Sequence, residues 1–193
     1  MQTDKGFWFF LMDDVNLRVE LVATNEVDEA KLAKIIRLSY GLDKESELER
    51  DRATIRNCFN AGHMSVFEFV DATVLIECPI FVARQIMRYR CASYLERSLR
   101  RCEPLEANSE YQDLIARGVS KENARAVLPL STQTQFYMKA NLREWFHIFD
   151  ERLSKGAQFE TRELVEGIKT EIWFAFPFYV ELWDEKKGVK SDG

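Results

Sequence analysis

The chain is short of the residue patterns on which many sites are built. Its cysteines, Cys58, Cys78, Cys91 and Cys102, form no C-x-x-C pair and stand at no zinc-ligand spacing from the two histidines, His63 and His147. They read as reduced thiols of a cytosolic protein, and no metal site is expected. No apolar run approaches roughly 20 residues, so no membrane span is expected. The N-terminus carries Asp4 and Lys5 and lacks the apolar run of a signal peptide. A G-x-G-x-x-G turn, a Walker-type glycine loop and a nucleophile elbow are all missing, which leaves Rossmann, P-loop and serine-hydrolase chemistry without support. Internal repeats and linkers are absent as well.

What is present points to one globular domain over residues 1–193. The hydrophobic fraction is 46% and there are 14 phenylalanines, enough for a sizeable core in 193 residues. The formal charge of -5 argues against a nucleic-acid binder, which is more often basic overall. Residues 6–23 alternate around Asp13-Asp14, as two strands joined by a turn. A helical stripe over 26–40 stops at Gly41, and a second helix over about 47–60 stops at Ala61-Gly62. Val70–Glu77 is β-branched and reads as a buried strand. Pro79 then opens a helix whose apolar face is Ile80–Met87. Ser120, Glu122 and Asn123 resemble a capped helix start over 120–128. Asn141–Leu153 and about Ala157–Phe174 complete the helices, and the charged tail at about 184–193 is expected to fray. The fold class is α/β (α+β), a single domain with a mixed or antiparallel sheet flanked by helices.

One segment stands out chemically. Arg88-Tyr89-Arg90-Cys91-Ala92-Ser93-Tyr94-Leu95-Glu96-Arg97-Ser98-Leu99-Arg100 crowds always-protonated guanidiniums together, directly after an apolar helix. Phosphate is their natural ligand, because guanidinium donates paired hydrogen bonds to its oxygens. A solvated basic face is the plainer alternative, but the interleaved Ser93, Glu96 and Ser98 suit a polar ligand better. Cys91 could be a thiolate favoured by its arginines or simply a small buried cysteine. In Gly62-His63-Met64-Ser65-Val66-Phe67-Glu68, a capping box would explain Ser65 and Glu68 and leave His63 without a role. Arg125 could merely snorkel from its helix end. Arg143 and His147 share one helix face, away from the Leu142, Trp145, Phe146, Phe149 stripe, and could merely be solvated.

Taken together these segments resemble the flavin-dependent thymidylate synthases, whose signature is R-H-R-x-x-S-x-N-E-x-S-x-R. Arg88, Arg90, Ser93, Glu96, Ser98 and Arg100 match it at every spacing. Gly62-His63 to Glu68, Phe81 to Gln85, Ala124-Arg125 to Leu128-Pro129, and Asn141, Arg143, Arg152 and Ala157-Gln158 match further elements in family order, over roughly residues 60–165. Tyr89 stands where the family has histidine and Leu95 where it has asparagine. Tyr89 can donate one hydrogen bond and stack but carries no positive charge, and Leu95 offers no polar contact. The stretch from Arg100 to Arg125 is also shorter than is usual in the family.

The resemblance implies methylation of dUMP to dTMP with FAD, NADPH and 5,10-methylenetetrahydrofolate, and no enzyme nucleophile. It implies that Arg152 is catalytic, holding the uracil in its N3-deprotonated, electron-rich form. Gln85, Arg88, Glu96, Ser98, Arg100, Arg125 and Arg152 would bind dUMP, with Arg125 reaching the phosphate from a neighbouring subunit. His63, Ser65, Arg88, Tyr89, Arg90, Glu96, Asn141, Arg143 and His147 would bind FAD. It also implies a cytoplasmic homotetramer with sites shared between subunits. Two alternatives follow from the departures: a dUMP hydroxymethylase, if water intercepts the methylene adduct, or a non-catalytic nucleotide or single-strand binder using Tyr89 and Tyr94.

Overall fold

The computed structural model describes residues 8–12, 15–42 and 44–188. Its centre is a five-stranded antiparallel sheet in the order β1-β2-β3-β5-β4. The strands are β1 (Trp8–Met12), β2 (Val15–Thr24), β3 (Asp71–Pro79), β4 (Ala92–Glu96) and β5 (Gln133–Asn141). The expected N-terminal hairpin forms, while its Asp13-Asp14 turn lies outside the described residues. The buried strand read at Val70–Glu77 is β3, and its burial is on one face. It alternates, sending Ala72, Val74, Ile76 and Cys78 into the core opposite Ala140, Met138, Phe136 and Thr134. Such alternation marks a sheet with one packed and one open face.

The helices are α1 (Glu29–Ser39), α2 (Leu48–Asn60), α3 (Ile80–Ile86), α4 (Ser109–Ala116), α5 (Lys121–Ala124), α6 (Leu142–Arg152), α7 (Phe159–Ala175) and α8 (Pro177–Lys187). Helices α3, α6 and α7 pack directly on the sheet, α1, α2 and α8 pack on this layer, and α4 and α5 pack on each other. Helix α1 starts three residues later than its apolar stripe does, because the Asp28 side chain caps it by accepting from the Lys31 N–H. Gly41 and Gly62 adopt φ of +63° and +77° just past α1 and α2, where a side chain would be strained. Helix α7 faces β2 at Gly167, where a Cβ would make an ordinary van der Waals contact with Val19 Cγ2 at 3.5 Å.

Phenylalanine supplies the joints between helices. Phe59 of α2, Phe67 of a 3-10 turn (Met64–Phe69) and Phe146 of α6 meet edge-to-face with centroids 5.5–5.8 Å apart. Each such burial is worth about 1.5–3 kcal/mol, and the edge-to-face geometry adds to it.

Three sequence expectations need correction. Ser65 and Glu68 make no capping box: the 3-10 turn has no side-chain cap, and Glu68 pairs with Arg143 instead. Ser120 likewise makes no cap bond, and its helix is a four-residue α5 followed by a 3-10 turn at Arg125–Val127. The tail does not fray from residue 184. Helix α8 runs through Lys187 to a left-handed Gly188, tied down by Lys169–Asp184 (2.7 Å), Lys187–Asp150 (2.9 Å) and Arg56–Glu185 (3.2 Å). Its signals, Pro at the first turn and Gly just past the end, are legible in the sequence. Strands β4 and β5 and helix α4 were not anticipated either. No helix among the described residues is long and apolar enough to cross a membrane.

Candidate active site

The signature begins where α3 ends. At residues 88–90 the chain exposes Arg88, buries Tyr89 and exposes Arg90. The two arginines make no hydrogen bond or ion pair among the described residues. Unpaired guanidiniums side by side on an acidic protein favour an anionic ligand over an internal structural role. Cys91 is exposed here, so it is not a small buried cysteine. Cys58 and Cys78 are buried, and burial pushes both thiols upward.

Opposite lies α6, which Asn141 starts as N-cap rather than as a helical residue, its side chain accepting from the Glu144 N–H at 2.9 Å. The apolar stripe of α6 is buried as expected, which leaves Arg143, His147 and Glu151 exposed at four-residue spacing on the other face. Asn141, Arg143 and His147 line a cleft of about 550 Å³ together with Glu68, Cys91, Asp150 and Lys186. Arg143 pairs with Glu68 across it. His63 and Ser65 are exposed, and His63 lines a different cleft with Arg37, Tyr40 and Lys44. Within one chain, then, His63 is not brought to the Asn141–His147 cleft.

Arg152, at the end of α6, sits at the junction of three elements. Its Nε donates to the Tyr89 hydroxyl at 2.7 Å and its Nη2 to the Gln85 carbonyl at 3.4 Å. The Tyr89 hydroxyl in turn donates to Glu151 Oε2 at 2.8 Å. Gln85 also bonds Gln158, the residue that starts α7. Burial, and then the bond to Glu151, push the Tyr89 phenol well above its ordinary value, so it stays protonated at neutral pH. Tyr89 is only 6% exposed, which places it behind Arg152 rather than on an open cofactor surface.

The remaining signature residues lie along β4 and beyond it. Glu96 accepts from Thr134 Oγ1 at 2.8 Å. Leu95 stands opposite Tyr137 on the open sheet face, 71% exposed. The Ser98 carbonyl closes a tight turn by accepting from the Arg101 and Cys102 N–H groups. Arg100 Nε meets the Glu122 carboxylate at 3.0 Å, and Arg125 Nε donates to the Glu122 carbonyl at 3.1 Å. Arg100 and Arg125 therefore converge within one chain, with Glu122 between them. Glu122 was seen in the sequence only as a helix-start residue, and Glu151, Asp150 and Lys186 were passed over. Glu151 could have been found from its place one turn beyond His147; Lys186 could not, because nothing local ties α8 to the cleft.

The sequence model of the thymidylate synthase complementing protein family matches residues 20–106 and 103–178. The chain belongs to this family. Among curated relatives, the flavin-dependent thymidylate synthase of Pseudothermotoga lettingae is 34% identical over 174 residues, covering 73% of this chain and 78% of that protein. That of Thermotoga neapolitana is 31% identical, covering 86% and 84%. Among solved structures, the UMP/dUMP methylase PolB from Streptomyces cacaoi, bound with 5-Br dUMP, shares the fold. Its TM-score is 0.78 at 24% identity, over 88% of this chain and 95% of that one. Family membership thus agrees with the resemblance drawn from the signature, and the shared fold agrees with the expected single α/β domain.

Proposed function

We propose that this protein is a flavin-dependent thymidylate synthase that methylates dUMP to dTMP, with FAD as cofactor and methylenetetrahydrofolate and NADPH as co-substrates. The observation that carries the reading is a cleft lined by Asn141, Arg143, His147 and Cys91, with Arg88 and Arg90, unpartnered among the described residues, directly preceding Cys91 in the chain. These donors fit a dinucleotide with a doubly charged pyrophosphate, since each offers N–H groups to anionic oxygens. Arg88, Arg90, Arg143 and His147 would hold FAD. His63, which lines a different cleft, and Ser65, which is exposed, would reach this one from a second subunit of a homotetramer.

Bound reduced flavin supplies the hydride, and the folate supplies the one-carbon unit. The protein's own part is positioning and charge. Arg152 is set so that, with Nε and Nη2 occupied internally, Nη1 can meet the uracil. A guanidinium there stabilises negative charge at N3 and the adjoining carbonyls, which raises electron density at C5. The phosphate would take Arg100 and Arg125 from Glu122, whose carboxylate would then turn to solvent, while Ser98 donates its hydroxyl.

Two measurements test this. FAD titrated into the purified protein should give a bound visible band that shifts when dUMP is added. With dUMP, the folate and NADPH, the product should have the mass of dTMP. A product heavier by one oxygen would instead identify a hydroxymethylase. Steeply salt-dependent oligonucleotide binding without flavin binding would make the protein a binder only.

A further inference from the structure

The buried tyrosine in the signature has a task that the sequence resemblance does not assign to it. We propose that Tyr89 is a positioning residue for Arg152: its hydroxyl orients the guanidinium toward the uracil of dUMP and keeps Glu151 from pairing with it directly. This rests on the reading of Arg152 as the uracil-binding residue, and it moves Tyr89 from the flavin to the substrate side.

The geometry is specific. The Tyr89 oxygen both accepts from Arg152 Nε (2.7 Å) and donates to Glu151 Oε2 (2.8 Å), so one atom carries both bonds. The ring meets two side chains, and a third holds the backbone behind it. His147 meets it edge-on at 5.7 Å, and the Arg152 guanidinium carbon lies 5.4 Å from its centroid. Behind it, the Tyr94 hydroxyl donates to the backbone carbonyls of Tyr89 (2.9 Å) and Ile86 (3.0 Å). A tyrosine so enclosed has one rotamer and presents its oxygen at one point.

The polarity of the relay matters as much as its position. A carboxylate placed directly on a guanidinium cancels most of its field and takes its donors. Here Glu151 satisfies the hydroxyl proton instead, and the neutral hydroxyl leaves the guanidinium its full charge. Charge stabilisation at the uracil depends on that field being uncancelled. Glu151 Oε2 and Arg152 Nε already meet at one oxygen, so without the hydroxyl the two flexible side chains could find each other. A histidine, as the family has here, carries its donor and acceptor on separate nitrogens and cannot place both on one atom. The departure of Tyr89 from the signature is thus a change in how Arg152 is held.

The test uses the full chain as Tyr89→Phe and as Tyr89→Phe combined with Glu151→Gln. Phenylalanine preserves the ring, and both Glu151 and Arg152 can reach water, so the variant is expected to fold. Calorimetric dUMP binding should weaken about tenfold in Tyr89→Phe, the loss expected when Glu151 takes from the uracil one charge-assisted hydrogen bond of Arg152, while FAD binding stays within about twofold. In the double variant dUMP binding should recover to within about threefold of wild type, because no carboxylate remains to capture Arg152. A packing defect would not be rescued in this way. Weakened FAD with unchanged dUMP binding would overturn the proposal and return Tyr89 to the flavin; so would a double variant no better than the single. The ligand-free protein gives an independent readout. The Arg152 Nε–H resonance should be protected from solvent exchange in wild type and lost in Tyr89→Phe. If it is unprotected in wild type, the tether is wrong even where dUMP binds; if it is protected but dUMP does not bind, the uracil reading of Arg152 is what fails.

Discussion

Replacing Asp51 with alanine isolates the largest buried electrostatic commitment in the described structure. The Asp51 side chain is fully buried, and that of Arg37 is 7% exposed. Asp51 accepts from Arg37 and from Ser46, clamping α1 to α2, the helix that delivers Gly62-His63. Breaking such a pair from one side costs about 3–5 kcal/mol, because the remaining ion stays buried without a partner. Arg37 also lines the cleft of about 440 Å³ that holds His63, and water entering there would partly solvate the freed guanidinium. The lower end of the range, about 3 kcal/mol, is therefore expected. For a domain of this size that lowers Tm by roughly 6–12 °C, measurable by calorimetry or urea unfolding. Replacing both partners with apolar residues, Arg37→Met with Asp51→Leu, should cost at most about 1 kcal/mol, since no ion is left stranded. A single variant that loses less than about 1 kcal/mol, as an exposed pair would, refutes the reasoning. So does a double variant as unstable as the single one. Acid offers a further check. Burial alone would raise the Asp51 carboxyl, but Ser46 and Arg37 outweigh it and hold it below its ordinary value of 3.8. Its stabilisation is then complete above that value and disappears as pH falls through the lower folded one, where wild type and Asp51→Ala should converge.

Three other outcomes are expected. Glu171 accepts from the Leu21 N–H at 3.0 Å but leaves Oε1 buried and unpaired, and burial holds its carboxyl above the ordinary 4.5. The folded state therefore favours the protonated form, and this contribution is lost as pH rises above 4.5. Glu171→Gln should raise Tm slightly at pH 7, with the gain shrinking toward pH 4.5 in calorimetric scans. Arg143→Ala breaks only an exposed pair and should change stability by less than about 1 kcal/mol. If Arg143 holds FAD, its loss should weaken flavin binding about tenfold, whereas Glu68→Gln should leave that binding equal or tighter by spectral titration. Leu95→Asn, on the open sheet face, should leave FAD affinity unchanged and the stability of the separated chain within about 0.5 kcal/mol; a change in FAD affinity would mean that this face meets the flavin in an assembly.

The elements that local pattern specifies were legible beforehand. Helices α2, α3, α6 and α7 were legible, with Gly62 marking the end of α2 and Pro79 the start of α3. The N-terminal hairpin appeared in its alternation, and the family in the spacing of Arg88, Arg90, Ser98 and Arg100. Strand β5 escaped because Gln133–Asn141 is half polar, its outer residues facing the open side of the sheet. It becomes a strand through its pairing with β3 and β4, which no local window contains. Helix α8 escaped for a different reason: its charges, which resemble those of a frayed tail, find partners on α2, α6 and α7.

By itself, then, the sequence determined this protein's family, its single α/β domain and which cationic side chains stand in the family's register. These follow from residue type, spacing and periodicity, which are local properties of the chain. Only the tertiary structure decided what each of those side chains does with its partners. It put Arg100 and Arg125 on a shared Glu122, turned His63 away from Asn141 and Arg143, and buried Tyr89 between Glu151 and Arg152. Except for Arg125 and Glu122, three positions apart, such roles depend on distances of about 3 Å between residues tens of positions apart. That distance is set by how the helices pack on the sheet, and no spacing along the chain encodes it.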